Sequence, residues 1–412
     1  MKYANKVFHL WDLVKAVPDP RSRRTYPAER LWLAAIGLFL LQYPSLNSVF
    51  NGHGCMDRKL QHLLGWKQKI PSRYAVEDLM AATDPQELKR ILVLMGRIMK
   101  KNKVWRRNAM DGRVVVAMDG VELITSSKKD LSGALHRTHG NGTEDAYCRS
   151  VVAMTVGGAQ KVVLGQVMLQ AGDGDSKAEG ELTGAHRLLD ELYASYGRFC
   201  DVLVMDALYL NAPLLKHVDS LDMKAVVRLK GQQRLLYKDY KPLFDRDVYR
   251  SDSFETDQFT VSVWDCRDAE MTDYEGEIRL LRFCEQPRKA TKDVPSSRDM
   301  WVVTTEMDAS ARQIWQIMHQ RWDIELNGFH QLKTYYHVDH CFCKRAVEQF
   351  FLTALIAFNL REAYLFGLRA RDVSRLGVTR RDLTEFLRND LEVHPLGLFP
   401  HDRSGHRKRR KQ

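Results

Sequence analysis

Apolar positions follow two different rhythms along this chain. Over residues 28–43 nearly every helical face is apolar, and the run stops at Pro44, which cannot continue a helix. Ser45 is placed to cap a short second helix. Asp84-Pro85-Gln86-Glu87 joins a cap to Pro at the first helical position and Glu at the third. Leu88, Ile91, Leu92, Met95 and Met99 then share one face. These patterns predict a helical region over residues 1–107, closed by a basic run with six Lys/Arg in residues 97–107.

From residue 108 the rhythm shifts to short, continuous apolar runs. Val114–Met118 reads as a buried strand, followed by Asp119-Gly120 and a partner strand over Val121–Thr125. Ser126–Arg149 is polar and Gly-rich and predicts a long loop. Val151–Val156 and Val162–Leu169 flank Gly157-Gly158 as a hairpin. Ala178–Tyr196 predicts a helix with Leu182, Leu188, Leu189 and Leu192 as its apolar side. Val202–Met205 is a second buried strand running into Asp206, followed by a short helix near Ala212–His217 and a strand at Lys224–Leu229. Residues 231–300 are more polar, with strand patterns at Phe259–Trp264 and Glu277–Phe283, and predict a β-rich insertion. The core resumes at Trp301–Thr304, with a long helix from about Ser310 and an apolar helix over Val347–Phe366. The expected organisation is 1–107 helical and DNA-binding, 108–230 first part of the core, 231–300 insertion, 301–370 second part of the core, and 371–412 a C-terminal region with a basic tail at 403–411.

Composition narrows the partners. The 412 residues are 44% hydrophobic and 28% charged, as in soluble multidomain proteins. A net charge of +11 points to an anionic partner, nucleic acid before membrane surface. The N-terminal segment lacks the apolar core of a signal peptide, and the longest apolar stretch, Leu31–Leu41, is far short of the ~20 residues that span a bilayer. Seven scattered cysteines suit a reduced cytoplasm. Secretion and a membrane role are not expected.

The candidate chemistry is acidic. Asp119 and Asp206 each follow an apolar strand, where α/β-type sheets carry their sites, although a strand-end Asp also simply begins turns. Residues 315, 318, 322, 325, 329, 332 and 336 lie on one helical face: Trp315, Met318, Trp322, Glu325, Phe329, Leu332 and Tyr336. A buried Glu325 on that face needs compensation. Either a salt bridge to Arg321 or Lys333 supplies it, or a metal ion shared with Asp119 and Asp206. Three hard oxygen ligands suit Mg²⁺ or Mn²⁺, and two such ions serve phosphoryl transfer. A basic protein with that site is expected to cut or join nucleic acid.

Three segments carry a family resemblance: Val-Val-Val-Ala-Met-Asp-Gly at 114–120, Val-Leu-Val-Met-Asp-Ala-Leu-Tyr at 202–209, and Arg-Trp-Asp-Ile-Glu-Leu-Asn-Gly-Phe-His-Gln-Leu-Lys at 321–333. With them the chain resembles the DDE transposases of bacterial insertion sequences, in the cut-and-paste group with a β-rich insertion before the Glu. The likeness runs over about 110–345 and is weaker in the Pro-Asp-Pro-Arg-Ser-Arg-Arg segment at 18–24. It implies an α+β multidomain protein with a ribonuclease-H-like mixed-sheet core, and a DNA transposase acting by two-metal phosphoryl transfer. Asp119, Asp206 and Glu325 would hold two Mg²⁺, with Mn²⁺ able to substitute. Double-stranded DNA, both transposon ends and target, is the expected partner. A homodimer in the DNA complex and a nucleoid-associated place in a bacterial cytoplasm are also expected. Arg321 and Lys333 would contact phosphate near the cut. Hairpin-forming members of that group carry a Tyr seven residues before the Glu and a Lys seven after it. Here those positions are Met318 and Leu332, with Lys333 one step on.

Other residues enter as weighed alternatives. Arg228 and Lys230 are expected to face the same DNA, and Lys100, Lys101, Arg106 and Arg107 to meet phosphates. Trp264 either stacks on an unpaired base or packs. His337, His340, Cys341 and Cys343 either bind zinc or pack at a helix end. His136 and His139, beside Arg137, either touch DNA or lie in a solvated loop. Two further functions share the core: an endonuclease without strand joining, and a catalytically silent DNA-binding regulator.

Overall fold

The computed structural model describes residues 2–22, 24–50, 71–127, 131–174, 177–231, 235–288, 297–367, 377 and 379–393. The expected basic tail at 403–411 lies outside the described residues. The chain divides into two compact units.

The first unit comprises Met1–Met95, Glu122–Cys148 and Gln331–Gln412. Its centre is two helices, Ala28–Leu40 and Val347–Phe366, that pack on each other. Both are apolar around most of their circumference, and a helix of that kind is stable only inside a core. Phe39 meets Phe342 and Phe350 with ring centroids 5.2 and 6.4 Å apart. Two long polar side chains in this core reach backbone carbonyls: Gln349 Nε2 donates to the Thr83 carbonyl at 2.9 Å, and Arg361 Nη1 to the Leu40 carbonyl at 2.7 Å. The polarity of 126–149 predicts a loop, but Leu135–Thr138 pairs antiparallel with Glu144–Tyr147. The first strand alternates between half-buried and exposed, and the second runs from the exposed Glu144 into the buried Ala146 and Tyr147.

The second unit comprises Gly96–Val121 and Arg149–His330 and contains the mixed sheet. The strands of the chain are β1 (Val115–Ser126), β2 (Leu135–Thr138), β3 (Glu144–Thr155), β4 (Val163–Met168), β5 (Val202–Met205), β6 (Lys224–Leu229), β7 (Arg250–Glu255), β8 (Phe259–Met271), β9 (Tyr274–Pro287) and β10 (Arg298–Thr304). β4 pairs antiparallel with β3, β3 neighbours β1, and β1, β5 and β6 run parallel. The order β4-β3-β1-β5-β6 is that of the ribonuclease-H-like core. The two strands expected around Asp119-Gly120 are a single strand, β1, that continues past its neighbour's end. The residues inserted after β6 begin with a helix, Leu235–Asp245, and then build the antiparallel series β7-β8-β9-β10. β10 pairs antiparallel with β6, so the insertion extends the core sheet.

Among the described residues no helix is long and apolar enough to cross a membrane.

Candidate active site

Strand register brings the two aspartates together. Met118 of β1 lies opposite Met205 of the parallel β5. The next residue of each strand is therefore an aspartate, on neighbouring chains ~4.8 Å apart. Each carboxylate is fixed by the amide that follows it. Gly120 N–H donates to Asp119 Oδ1 at 2.8 Å, and Ala207 N–H donates to Asp206 Oδ1 at 2.6 Å. After Asp206 the chain turns through a short 3₁₀ segment, Ala207–Tyr209.

Glu325 arrives on a broken helix. Ser310 and Gln313 form a capping box that starts the helix Ala311–Gln320. At Arg321 the helix breaks, and Ile324–Phe329 forms a π-helical segment. Asp323 anchors this segment to the β3–β4 turn: its Oδ2 accepts from Lys161 Nζ at 2.5 Å and from Gly157 N–H at 2.9 Å. The sequence predicts an unbroken helix with Glu325 buried on its apolar line. Met318, Phe329, Leu332 and Tyr336 are indeed buried, but the Glu325 side chain is 44% exposed. The wider π turn takes residue 325 out of the phase that a 3.6-residue helix would give it.

The guanidinium of Arg321 stands among the acids. It is only 3% exposed, and its Nη1 lies 2.7 Å from Glu325 Oε1 and 3.4 Å from Asp119 Oδ2. Lys230 Nζ lies 3.4 Å from Asp206 Oδ1. Arg321 and Arg228 approach the Trp322 ring, with their guanidinium carbons 5.7 and 5.9 Å from its centroid. The salt-bridge alternative for Glu325 is thus realised, and it takes in Asp119 as well. Among the described residues no three His, Cys, Asp or Glu side chains are arranged to hold a metal ion. What Asp119 and Glu325 share is the Arg321 nitrogen. The donor set itself is all carboxylate oxygen, the chemistry that Mg²⁺ and Mn²⁺ favour.

The electrostatics separate the two aspartates. Burial pushes Asp119 up to about 6, helped by Glu325 and Glu181 and opposed by Arg321 and the Gly120 N–H. Asp206 is held below its ordinary value: burial raises it, but the Ala207 N–H, Arg321 and Lys230 outweigh that effect. Asp119 therefore favours the folded state when neutral. Its contribution to stability is present below the unfolded value of 3.8 and is lost as pH rises through about 6. With divalent ions chelated, Asp119→Asn is expected to be more stable than the unchanged protein at pH 7.5 by about 1–3 kcal/mol, and equal to it near pH 4. Thermal melts at the two pH values check this; an Asn variant that melts lower at pH 7.5 contradicts it.

The remaining sequence-derived residues divide. Lys333 lies on the helix His330–Tyr336, in the first unit. Lys100 Nζ is held by the carbonyls of Tyr196 and Arg198 at 2.6 and 2.9 Å, and Arg106 bonds Asp201 and the Gly112 carbonyl. Lys101 and Arg107 are exposed. Trp264 is not open to a base. It is 8% exposed, its indole N–H donates to Asp247 at 2.7 Å, and Arg250 and Arg282, its direct partners on β7 and β9, lie 5.3 and 4.9 Å from its ring. In the first unit, Arg137 pairs with Glu122 and His139 with Asp145, while His340 packs edge-on against Phe342 at 5.0 Å.

Two features escaped the sequence reading. One is a cleft of about 600 Å³ lined by Arg288, Arg298, Arg312, Phe259, Trp315 and His319. Behind it the buried Glu285 accepts from Trp315 Nε1 and His319 Nε2, each at 2.6 Å, and pairs with Arg298. Arginines spread over three elements give no local signal. The other is the buried Glu181, whose neighbours in sequence read as an ordinary solvated helix face.

No curated protein matches this chain. Among solved structures, the piggyBac transposase synaptic complex with hairpin DNA is similar at 11% identity, covering 98% of this chain and 83% of that one, with a TM-score of 0.46. The NurA nuclease from Sulfolobus solfataricus is similar at 12% identity, over 57% of this chain and 85% of that one, with a TM-score of 0.26. Neither likeness is close enough to bear on the argument. The sequence pattern of one family, described as Transposase DDE domain, matches residues 111–360, well over half of the chain. That span takes in the core sheet, the inserted strands and the π-turned helix alike, and with it the chain belongs to the DDE-domain transposases, enzymes that cleave and transfer DNA strands.

Proposed function

We propose that this protein excises a bacterial insertion sequence by cutting its ends and joins those ends to target DNA, with Asp119, Asp206 and Glu325 as the metal-binding acids. The observation that carries the reading is the convergence of Asp119 and Glu325 on one Arg321 nitrogen, with Asp206 next in register to Asp119. Two Mg²⁺ or Mn²⁺ ions, when bound, supply activation of the attacking oxygen and stabilisation of the leaving one. The chain's own groups hold the site's charge balance and position DNA. Arg321, Arg228 and Lys230 neutralise phosphate beside the reacting bond, and the exposed Lys101 and Arg107 neutralise phosphates further along the duplex. Joining two ends to one target calls for two copies of the chain in the DNA complex.

The test is a time course on labelled, paired transposon ends with Mg²⁺ and a supercoiled target. The expected result is nicking at the ends followed by covalent joining to the target. Cutting with no joined product at any time overturns the transposase reading in favour of an endonuclease.

A further inference from the structure

We propose that the buried Glu181 is a positioning residue that sets the spacing of Asp119 and Asp206. The inference rests on the proposed metal-binding role of those two aspartates.

Glu181 lies on the helix Lys177–Tyr196 and is 2% exposed. Three contacts define it. Its Oε1 is 2.5 Å from Arg149 Nη2, a β3 side chain that is itself buried. Its Oε2 accepts from the Tyr209 hydroxyl at 3.1 Å, and Tyr209 sits three residues after Asp206 on the turn that leaves β5. The same Oε2 fills the space beside Gly120, the residue after Asp119: a Cβ there would lie 2.4 Å from it and 3.2 Å from the Arg149 guanidinium. One oxygen atom thus lies beside the residue after the first aspartate and holds the side chain of the turn that follows the second. Gly120 is the amide that holds Asp119, and the Ala207–Tyr209 turn begins with the amide that holds Asp206.

Packing alone does not account for a charge at this place. An apolar group of similar volume in place of a buried ion pair is as stable or more so. The carboxylate ties the Tyr209 side chain by a directional hydrogen bond while filling the space beside Gly120, and outer contacts around a metal site tune its affinity about 10–100-fold.

Tyr209→Phe removes one hydroxyl and keeps the ring. The full-length protein is titrated with Mn²⁺ by electron paramagnetic resonance, its cleavage of paired ends is followed against Mn²⁺ concentration, and its melting temperature is recorded. The expected result is Mn²⁺ binding weakened about tenfold, a matching rise in the Mn²⁺ needed for half-maximal cleavage, and recovery of cleavage at high Mn²⁺. Glu181→Gln, which keeps the shape and an acceptor, is expected to show the same shift with a lower melting temperature. Mn²⁺ binding at the unchanged level in Tyr209→Phe overturns the proposal, whatever its melting temperature. Asp206→Asn separates the two ideas: if it binds Mn²⁺ normally, the metal-site reading fails, whereas if it loses Mn²⁺ and Tyr209→Phe does not, only the role of Glu181 fails.

Discussion

Asp119→Asn, Asp206→Asn and Glu325→Gln are each expected to lower strand cleavage and joining at least about a thousandfold while leaving DNA binding within about twofold. The amide keeps the size of the side chain and removes the charge that the reaction needs. The three variants then differ in a way that catalysis alone does not reveal. Asp119 is held above its ordinary value by burial, so losing its charge stabilises the fold at neutral pH. Asp206 is held below its ordinary value despite burial, so its amide is expected to be less stable at neutral pH and to match the unchanged protein in acid. Glu325 is the most exposed of the three, and its amide is expected to change stability least. Single-turnover cleavage, filter binding and thermal melts on the same preparations check all three. Near-native cleavage by Glu325→Gln removes it from the site.

Arg321→Leu is expected to cost about 3–5 kcal/mol of stability in the absence of divalent ions, the usual consequence of leaving a buried charge without its partner. Arg321 is almost fully buried and carries the counter-charge for Asp119 and Glu325 on one nitrogen. Most of the cost comes from Asp119, because water reaches Glu325. The double variant Asp119→Asn/Arg321→Leu should therefore recover much of the loss, a coupling that a double-mutant cycle measures. Millimolar Mg²⁺ should raise the melting temperature of Arg321→Leu more than that of the unchanged protein. Additive losses in the cycle would show that Arg321 serves packing and not the acids. Arg321→Lys is expected to restore only part of the stability, since a single ammonium lacks the guanidinium's fixed fork.

The aspartates were legible because each ends a run of β-branched and apolar residues, and such runs announce buried strands whatever they pair with. Their adjacency was not legible: Met118 opposite Met205 is a register across 87 residues of chain, set by pairing that no local pattern records. Glu325 stands out as the one acid on an apolar line, but its burial is not what that line predicts, because hydrophobic spacing assumes a uniform helix. The segment Leu135–Thr138 reads as loop because it buries no side chain fully and so carries no apolar face to mark it. Trp264 was offered as a base-stacking surface because its covering arginines come from strands paired on either side. The basic run after residue 96 shows the same limit. Composition places the positive charge there, and only the fold shows that Lys100 is tied to the Tyr196 carbonyl and Arg106 to Asp201.

The broken helix also bears on how its residues should be counted. A π turn closes its hydrogen bond one residue later than an α turn, so it inserts one residue into the ladder without adding a turn. Across Ile324–Phe329 a separation of eight residues is therefore the equivalent of seven along an unbroken helix. The resemblance places a lysine seven residues after the Glu, and in this chain Lys333 follows Glu325 by eight while Leu332 takes the seventh place and is buried. The offset that looks like a lost residue is the offset a one-residue insertion leaves. Against a relative whose helix is unbroken here, identical spacing would misplace every position after Phe329, and a gap opened inside 324–329 would keep the two halves in phase.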